Sequence, residues 1–226
     1  SHDGFPPVTV KGPNKGGDVS VDGSKSSQYA TSLIMVAPLA ENDTVVTLTG
    51  DLVSRPYIDI TVDMMEKFGA SVSKNSNRYT IKGGTGYRPC DCAVPGDPSS
   101  AAFPLVAGAL GGHVTVTGLD PEERGDARLI SILEDAGCEI TRKDGEVTVK
   151  NKGRIKPLEI DMGDIPDLFP ILAVLLSTAE GESRLYGAPH LRFKESDRID
   201  TTVKMLTAIG ADVFPTEDGC IIKGKE

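Results

Sequence analysis

The chain repeats itself, and the repeat fixes most of what it can fold into. Three segments share one ending: Lys67-Phe68-Gly69-Ala70-Ser71-Val72, Asp135-Ala136-Gly137-Cys138-Glu139-Ile140 and Ala208-Ile209-Gly210-Ala211-Asp212-Val213. Their glycines lie 68 and 73 positions apart. A second marker agrees. Thr47-Leu48-Thr49-Gly50, Thr115-Val116-Thr117-Gly118 and Arg184-Leu185-Tyr186-Gly187 place glycines 68 and 69 apart.

Each unit has the same internal grammar. A short strand opens it (18–21, 91–94, 158–160). An apolar helix follows (26–39, 98–110, 165–179), hydrophobic on nearly every side and so expected to be buried. An alternating strand comes next (44–49, 113–117, 183–186). The second helix is amphipathic (56–68, 127–136, 195–209); in the first copy Tyr57, Ile60, Met64 and Phe68 are expected on its inner stripe. Glycine stops that helix, and a hairpin closes the unit, with Asp144-Gly145 and Asp218-Gly219 as turn signals. The order is βαβαββ three times, an α/β fold with buried helices under small mixed sheets. Each buried helix begins near a short polar residue after a glycine (Ser24 or Ser26, Asp97, Asp164). Capping explains these residues, though helix N-termini also suit anions. The Pro- and Gly-containing stretch 85–95 marks the expected boundary, giving residues 8–89 as one unit and 90–226 as two.

Charge and composition narrow the function. The 226 residues carry a net charge of −9, which argues against nucleic acid or an anionic membrane as the main partner. The most apolar run, Leu168 to Ala179, contains Pro170 and is too short to span a bilayer. Four scattered cysteines, Cys90, Cys92, Cys138 and Cys220, lack zinc spacing and read as reduced thiols of a cytoplasmic protein. His2, His113 and His190 show no metal-like spacing, and there is no P-loop, GxGxxG or HExxH. The sequence starts without Met, and Ser1-His2 reads as the scar of a cut tag, so a piece of a longer product is expected.

One stretch concentrates chemistry. Leu191 to Arg198 holds five charged side chains in eight residues, next to an apolar-periodic run. A helix beginning at Lys194 or Glu195 would set Lys194 and Arg198 on one face with Glu195 beside them. Two cations around a carboxylate suit a phosphate or carboxylate substrate that also needs a proton carrier. A salt-bridged first turn on a solvated face is the plainer alternative.

Five motifs together resemble the 5-enolpyruvylshikimate-3-phosphate synthase family, also called 3-phosphoshikimate 1-carboxyvinyltransferase. They are Asp22 to Gln28, Gly50 to Asp59, Gly96 to Ala101, Asp164 to Asp167 and Leu191 to Arg198. They occur in the family's order and at matching places in each unit. The resemblance implies βαβαββ repeats of the enolpyruvyl-transferase type in inverse α/β-barrel-like lobes. Members have six such units, and this chain is similar to the third, fourth and fifth. The first unit then belongs to one lobe and the other two to the second.

The resemblance also implies a reaction. The enolpyruvyl group of phosphoenolpyruvate passes to the 5-hydroxyl of shikimate 3-phosphate and phosphate leaves, on the way to chorismate and aromatic amino acids. Neither metal nor organic cofactor is implied. By the same resemblance Ser26, Ser27 and Ser54 match positions that hold the shikimate phosphate, Gln28 one that touches both substrates, and Tyr57 lies beside them. Asp167 matches the acceptor of the 5-hydroxyl proton. Lys194 matches a substrate-binding lysine, Glu195 a proton-transfer residue and Arg198 a contact to phosphoenolpyruvate. His190 stands where many members carry an asparagine that binds the shikimate phosphate.

Several family lysines and arginines fall outside the sequence, so negligible turnover by this chain alone is expected. The rival readings are the related transferase acting on UDP-N-acetylglucosamine and a non-catalytic binding module of the same repeat. The Ser26-Ser27-Gln28 and Ser54-Arg55-Pro56-Tyr57 motifs favour a phosphorylated shikimate over the former; calorimetry with that ester separates the latter. Apolar helices left uncovered predict self-association, or closure of the three units into one lobe.

Overall fold

The computed structural model describes residues 5–119 and 124–224; Ser1 and His2, read above as a tag scar, lie outside them. The chain divides into two compact units, one formed by 1–52 and 57–91 and the other by 53–56 and 92–226.

The first unit contains β1 (Gly17–Asp22), α1 (Ser27–Val36), β2 (Thr44–Thr49), most of α2 (Arg55–Lys67), β3 (Val72–Asn75) and β4 (Arg78–Ile81). Its sheet has the order β1-β2-β4-β3, with β1 parallel to β2 and the rest antiparallel. The second unit begins with α3 (Pro98–Gly111), β5 (His113–Thr117), α4 (Leu129–Asp135), β6 (Glu139–Lys143) and β7 (Glu146–Lys150). It continues through β8 (Glu159–Asp161), α5 (Phe169–Leu176), β9 (Glu182–Tyr186), α6 (Arg198–Ala208), β10 (Asp212–Pro215) and β11 (Cys220–Lys223). The sheet β8-β9-β11-β10 repeats the first unit's order, again with a parallel first pair. Between them in sequence, β5-β7-β6 is the same sheet without its opening strand.

That missing strand corrects one expectation. Residues 91–94 are not a strand, and the place is marked only by a single parallel bridge, Gly96 with Leu119. Pro89 and Pro95 bracket the stretch, and proline removes the N–H a ladder needs. The repeat markers themselves have a backbone cause. Gly69, Gly137 and Gly210 sit just past α2, α4 and α6 with φ of 85°, 99° and 89°, the left-handed conformation that ends a helix cheaply only in glycine.

Burial is uneven among the apolar helices. α5 is the most interior, with Phe169, Leu172, Ala173, Leu175 and Leu176 fully buried. It shares a core with Leu105 of α3, Leu133 of α4, Val149 of β7, Leu185 of β9 and Leu206 of α6. α1 does not match the expectation. Only its Ala30 and Ile34 stripe enters the first unit's core, with Val46, Ile58, Val62, Met65 and Tyr79, while Tyr29, Leu33, Met35 and Val36 are exposed. The stripe of α2 is also shifted. Ile58, Val62 and Met65 are its buried positions. Ile60, Met64 and Phe68 instead line a groove of about 370 Å³ with Met35 and Tyr87. Tyr57 is half-buried rather than core.

Candidate active site

The charged stretch folds differently from the helix expected of it. Pro189–Phe193 forms a 3-10 turn, Lys194 is extended, and α6 starts only at Arg198. Asp197 is its N-cap, accepting from the Asp200 N–H at 2.9 Å, as short acidic residues at helix starts do. Lys194 and Arg198 are therefore not successive turns of one helix. The five charges divide by role. Arg192 and Asp197 are structural: Arg192 donates to Asp197 at 2.8 Å, to the Glu217 carbonyl at 2.8 Å and to the Thr216 carbonyl, pinning this segment to the β10–β11 loop. Lys194, Glu195 and Arg198 take no part in those contacts.

Arg198 joins two carboxylates. It grips Glu195 in a fork of 2.9 and 3.1 Å and donates to Asp167 at 2.5 Å. Bidentate guanidinium–carboxylate geometry is the strong form of such contacts. Asp167 lies in a 3-10 turn, Pro166–Leu168, that leads into α5. The Arg198 hydrogen bonds hold the Glu195 carboxyl below the usual range. Burial pushes the Lys194 ammonium down, with Asp167 opposing that and Arg198 adding to it. Replacing Arg198 by Met is expected to move both groups up. Glu195 loses its donor and Lys194 its like-charged neighbour, and an NMR pH titration of each side chain reads the change. A Glu195 that titrates unchanged would show that the fork does not form in solution.

A cleft of about 540 Å³ opens beside this set. Ser99, Ser100 and Phe103 of α3, Pro170 of α5 and Thr201, Thr202 and Met205 of α6 line it together with Asp167, Glu195, Ser196 and Arg198. Its α3 edge is fixed by Asp97, which caps the helix through the Ser99 and Ser100 N–H groups at 3.1 Å each. The Ser100 hydrogen bonds keep the Asp97 carboxyl low. The Ser99 hydroxyl donates to the buried carboxylate of Asp126. The sequence reading took Asp97 as a cap but did not place Ser99, Ser100, Thr201 or Thr202 at a site. The hydroxyl pairs at the starts of two helices were the available signal.

His190 and Ser54 also belong to the second unit. Each is 2% exposed, and neither the two His190 ring nitrogens nor the Ser54 hydroxyl has a hydrogen-bond partner among the described residues. Ser54 has φ of 57°, a strained value for a residue with a Cβ. Its N–H donates to the Gly163 carbonyl at 3.0 Å. Asp164, expected to cap the third buried helix, instead accepts from the Arg55 N–H at 3.3 Å.

Ser26, Ser27, Gln28 and Tyr57 lie in the first unit. Ser26 caps α1, its hydroxyl accepting from the Gln28 N–H at 3.2 Å. Ser27 is buried and Gln28 exposed at the same N-terminus. Tyr57 stands in the first turn of α2, its carbonyl accepting from Thr61 at 2.8 Å. Among the described residues no group of three His, Cys, Asp or Glu side chains could hold a metal ion, and no helix is long and apolar enough to cross a membrane.

Comparison with known proteins agrees over the full length. The family model for EPSP synthase (3-phosphoshikimate 1-carboxyvinyltransferase) matches residues 1–226. The chain is 49% identical over 225 residues to the 3-phosphoshikimate 1-carboxyvinyltransferase of Methanocorpusculum labreanum, covering 99% of this chain and 53% of that protein. It is 42% identical to the one from Clostridium kluyveri, covering 97% of this chain and 52% of that protein. The solved EPSP synthase of Acinetobacter baumannii superposes with a TM-score of 0.79 at 32% identity, covering 100% of this chain and 53% of that one. The enolpyruvyl transferase NikO of Streptomyces tendae shares the fold, with a TM-score of 0.69 at 16% identity, over 92% of this chain and 51% of that one. The chain thus spans about half the length of the relatives it matches. With its repeat order, its motifs and this full-length match, the chain belongs to the EPSP synthase family.

Proposed function

We propose that this chain carries part of the site that moves the enolpyruvyl group of phosphoenolpyruvate to the 5-hydroxyl of shikimate 3-phosphate. The observation that carries the reading is Arg198 held between Asp167 and Glu195, with the half-buried Lys194 close by. Asp167 accepts the proton of the attacking hydroxyl. Glu195 carries the proton to and from the enol methylene carbon, and Lys194 and Arg198 hold anionic oxygens. In the forward step the methylene carbon gains a proton, the hydroxyl oxygen bonds to the adjacent carbon, and a tetrahedral adduct forms. Phosphate then leaves with its C–O bonding pair, and the methyl group returns a proton to restore the double bond. Such a path needs an acid, a base and cations around developing anions.

The free state is set for this. Glu195 is ionised because Arg198 is its donor. A substrate anion that draws Arg198 away weakens that contact, so Glu195 protonates more readily when the site is filled. Ser54 and His190 supply donors for the ester phosphate from the second unit.

Calorimetry of the purified chain with shikimate 3-phosphate tests the reading: weak saturable binding is expected, and none would contradict it. Phosphate release from the two substrates is expected to be negligible for the chain alone. Steady product formation, clear of host enzyme, would overturn the assignment of further essential cations to the rest of the relatives' length. We also infer that copies of the chain associate through the exposed α1 face, Tyr29, Leu33 and Val36. Sedimentation velocity showing a monomer at all concentrations would contradict that.

A further inference from the structure

His190 is a buried polar ring left with nothing to bond. A neutral imidazole has one N–H donor and one lone-pair acceptor, and leaving either unmatched in the interior is costly. Here both are unmatched among the described residues. The Ser54 hydroxyl is a second buried orphan, and the two flank the same turn. The Ser54 N–H donates to Gly163, and a Cβ on Gly163 would lie 3.4 Å from the carbonyl of Gly187, three residues before His190. Two orphaned groups around one turn, with a lysine four residues on, describe a pocket whose missing partner is rich in acceptor oxygens.

The charges facing the ring come from three elements. Lys194 follows the 3-10 turn that bears His190, Arg198 opens α6, and Asp167 precedes α5. Burial first, then Lys194 and Arg198, keep the ring neutral in the empty protein, pushing it down to about 4, with Asp167 opposing them. A phosphate ester dianion entering here brings two negative charges, enough to offset both cations. Opposite charge at hydrogen-bond distance raises a basic group by roughly one to three units.

We propose that His190 takes up a proton when a phosphate ester dianion enters the pocket beside Ser54 and Lys194, so that ester binding and proton binding are linked at this one ring. The linkage rests on the shikimate 3-phosphate reading above and extends it. It makes the site selective for charge state: the imidazolium donates more strongly to the dianion than neutral imidazole could, and the ring's contribution to affinity falls as pH rises from about 4 toward the raised value of the bound ring.

The test is calorimetry of the intact 226-residue chain with shikimate 3-phosphate at pH 6.5, in several buffers of different ionisation heat. The wild-type protein is expected to take up about half a proton more per ester than His190→Asn. The Asn variant keeps a neutral donor and still binds, and any proton exchange by the ester itself cancels in the difference. Ring nitrogen chemical shifts of His190 moving to imidazolium values on adding the ester provide a second readout. The two failures are distinguishable. Saturable binding with the same proton balance in both proteins removes the linkage and leaves the site reading intact. No saturable binding by either protein removes the site reading and the linkage with it.

Discussion

Phe169→Ala is expected to destabilise the second unit by about 3–5 kcal/mol, the cost of emptying a large buried aromatic site. Phe169 is fully buried at the start of α5, inside the cluster that joins α3, α5, α6 and their strands. It cannot be compensated by solvent, because no part of the ring reaches the surface. Its position also ties stability to the site, since Asp167 lies two residues earlier in the turn that α5 anchors. Hydrogen exchange reads the result element by element. Amides of β9 and β11 should lose protection. Those of β2 and β4 should not, because their residues belong to a separate cluster. A loss under about 1 kcal/mol would mean the α5 cavity collapses freely, against the close packing described here.

Acid is expected to remove about 3 kcal/mol of stability through His190 alone. Its folded-state value, about 4, lies below the ordinary value of 6.5. Between these limits the unfolded chain binds the proton and the folded chain does not, so stability rises with pH across the window. The contribution is complete above about pH 6.5 and is lost as pH falls toward 4, at about 1.4 kcal/mol for each unit of separation. Urea melts of wild type and His190→Asn at pH 7 and pH 4.5 isolate it, because carboxylates held low elsewhere, such as Asp97 and Asp218, are common to both proteins. The gap between the two proteins should shift by about 2–3 kcal/mol in favour of the Asn variant at the lower pH. Parallel pH profiles would show that the ring is hydrated in solution.

The fold was legible where local rules decide it. Helix-stopping glycines, alternating strands and the Asp144-Gly145 turn, with φ of 51° and 77°, all follow from backbone sterics that a sequence displays directly. Burial was harder. α1 carries six apolar or aromatic residues, yet of these only Ala30 and Ile34 are covered; periodicity reports which residues could be buried, and neighbours decide which are. The α2 stripe slipped for the same reason, since Ile58, Val62 and Met65 fit a helical period as well as Tyr57, Ile60, Met64 and Phe68 do. At the site, residue types were readable but partners were not. Nothing local in Leu191–Arg198 announces that Arg192 reaches the Thr216 and Glu217 carbonyls, or that Asp197 starts the helix where Glu195 had been expected to. Nor could spacing reveal that His190 and Ser54 are buried without hydrogen-bond partners among the described residues, because that depends on chain segments more than a hundred residues apart.

The most direct test is an NMR titration of the 226-residue chain with shikimate 3-phosphate, run beside unphosphorylated shikimate. Saturable shifts at Ser54, His190, Lys194, Asp167 and their neighbours in the second unit are the predicted result for the ester, with no response to the free acid. Equal responses to both compounds, or none at Lys194 and His190, would contradict a phosphate-reading site built from these residues.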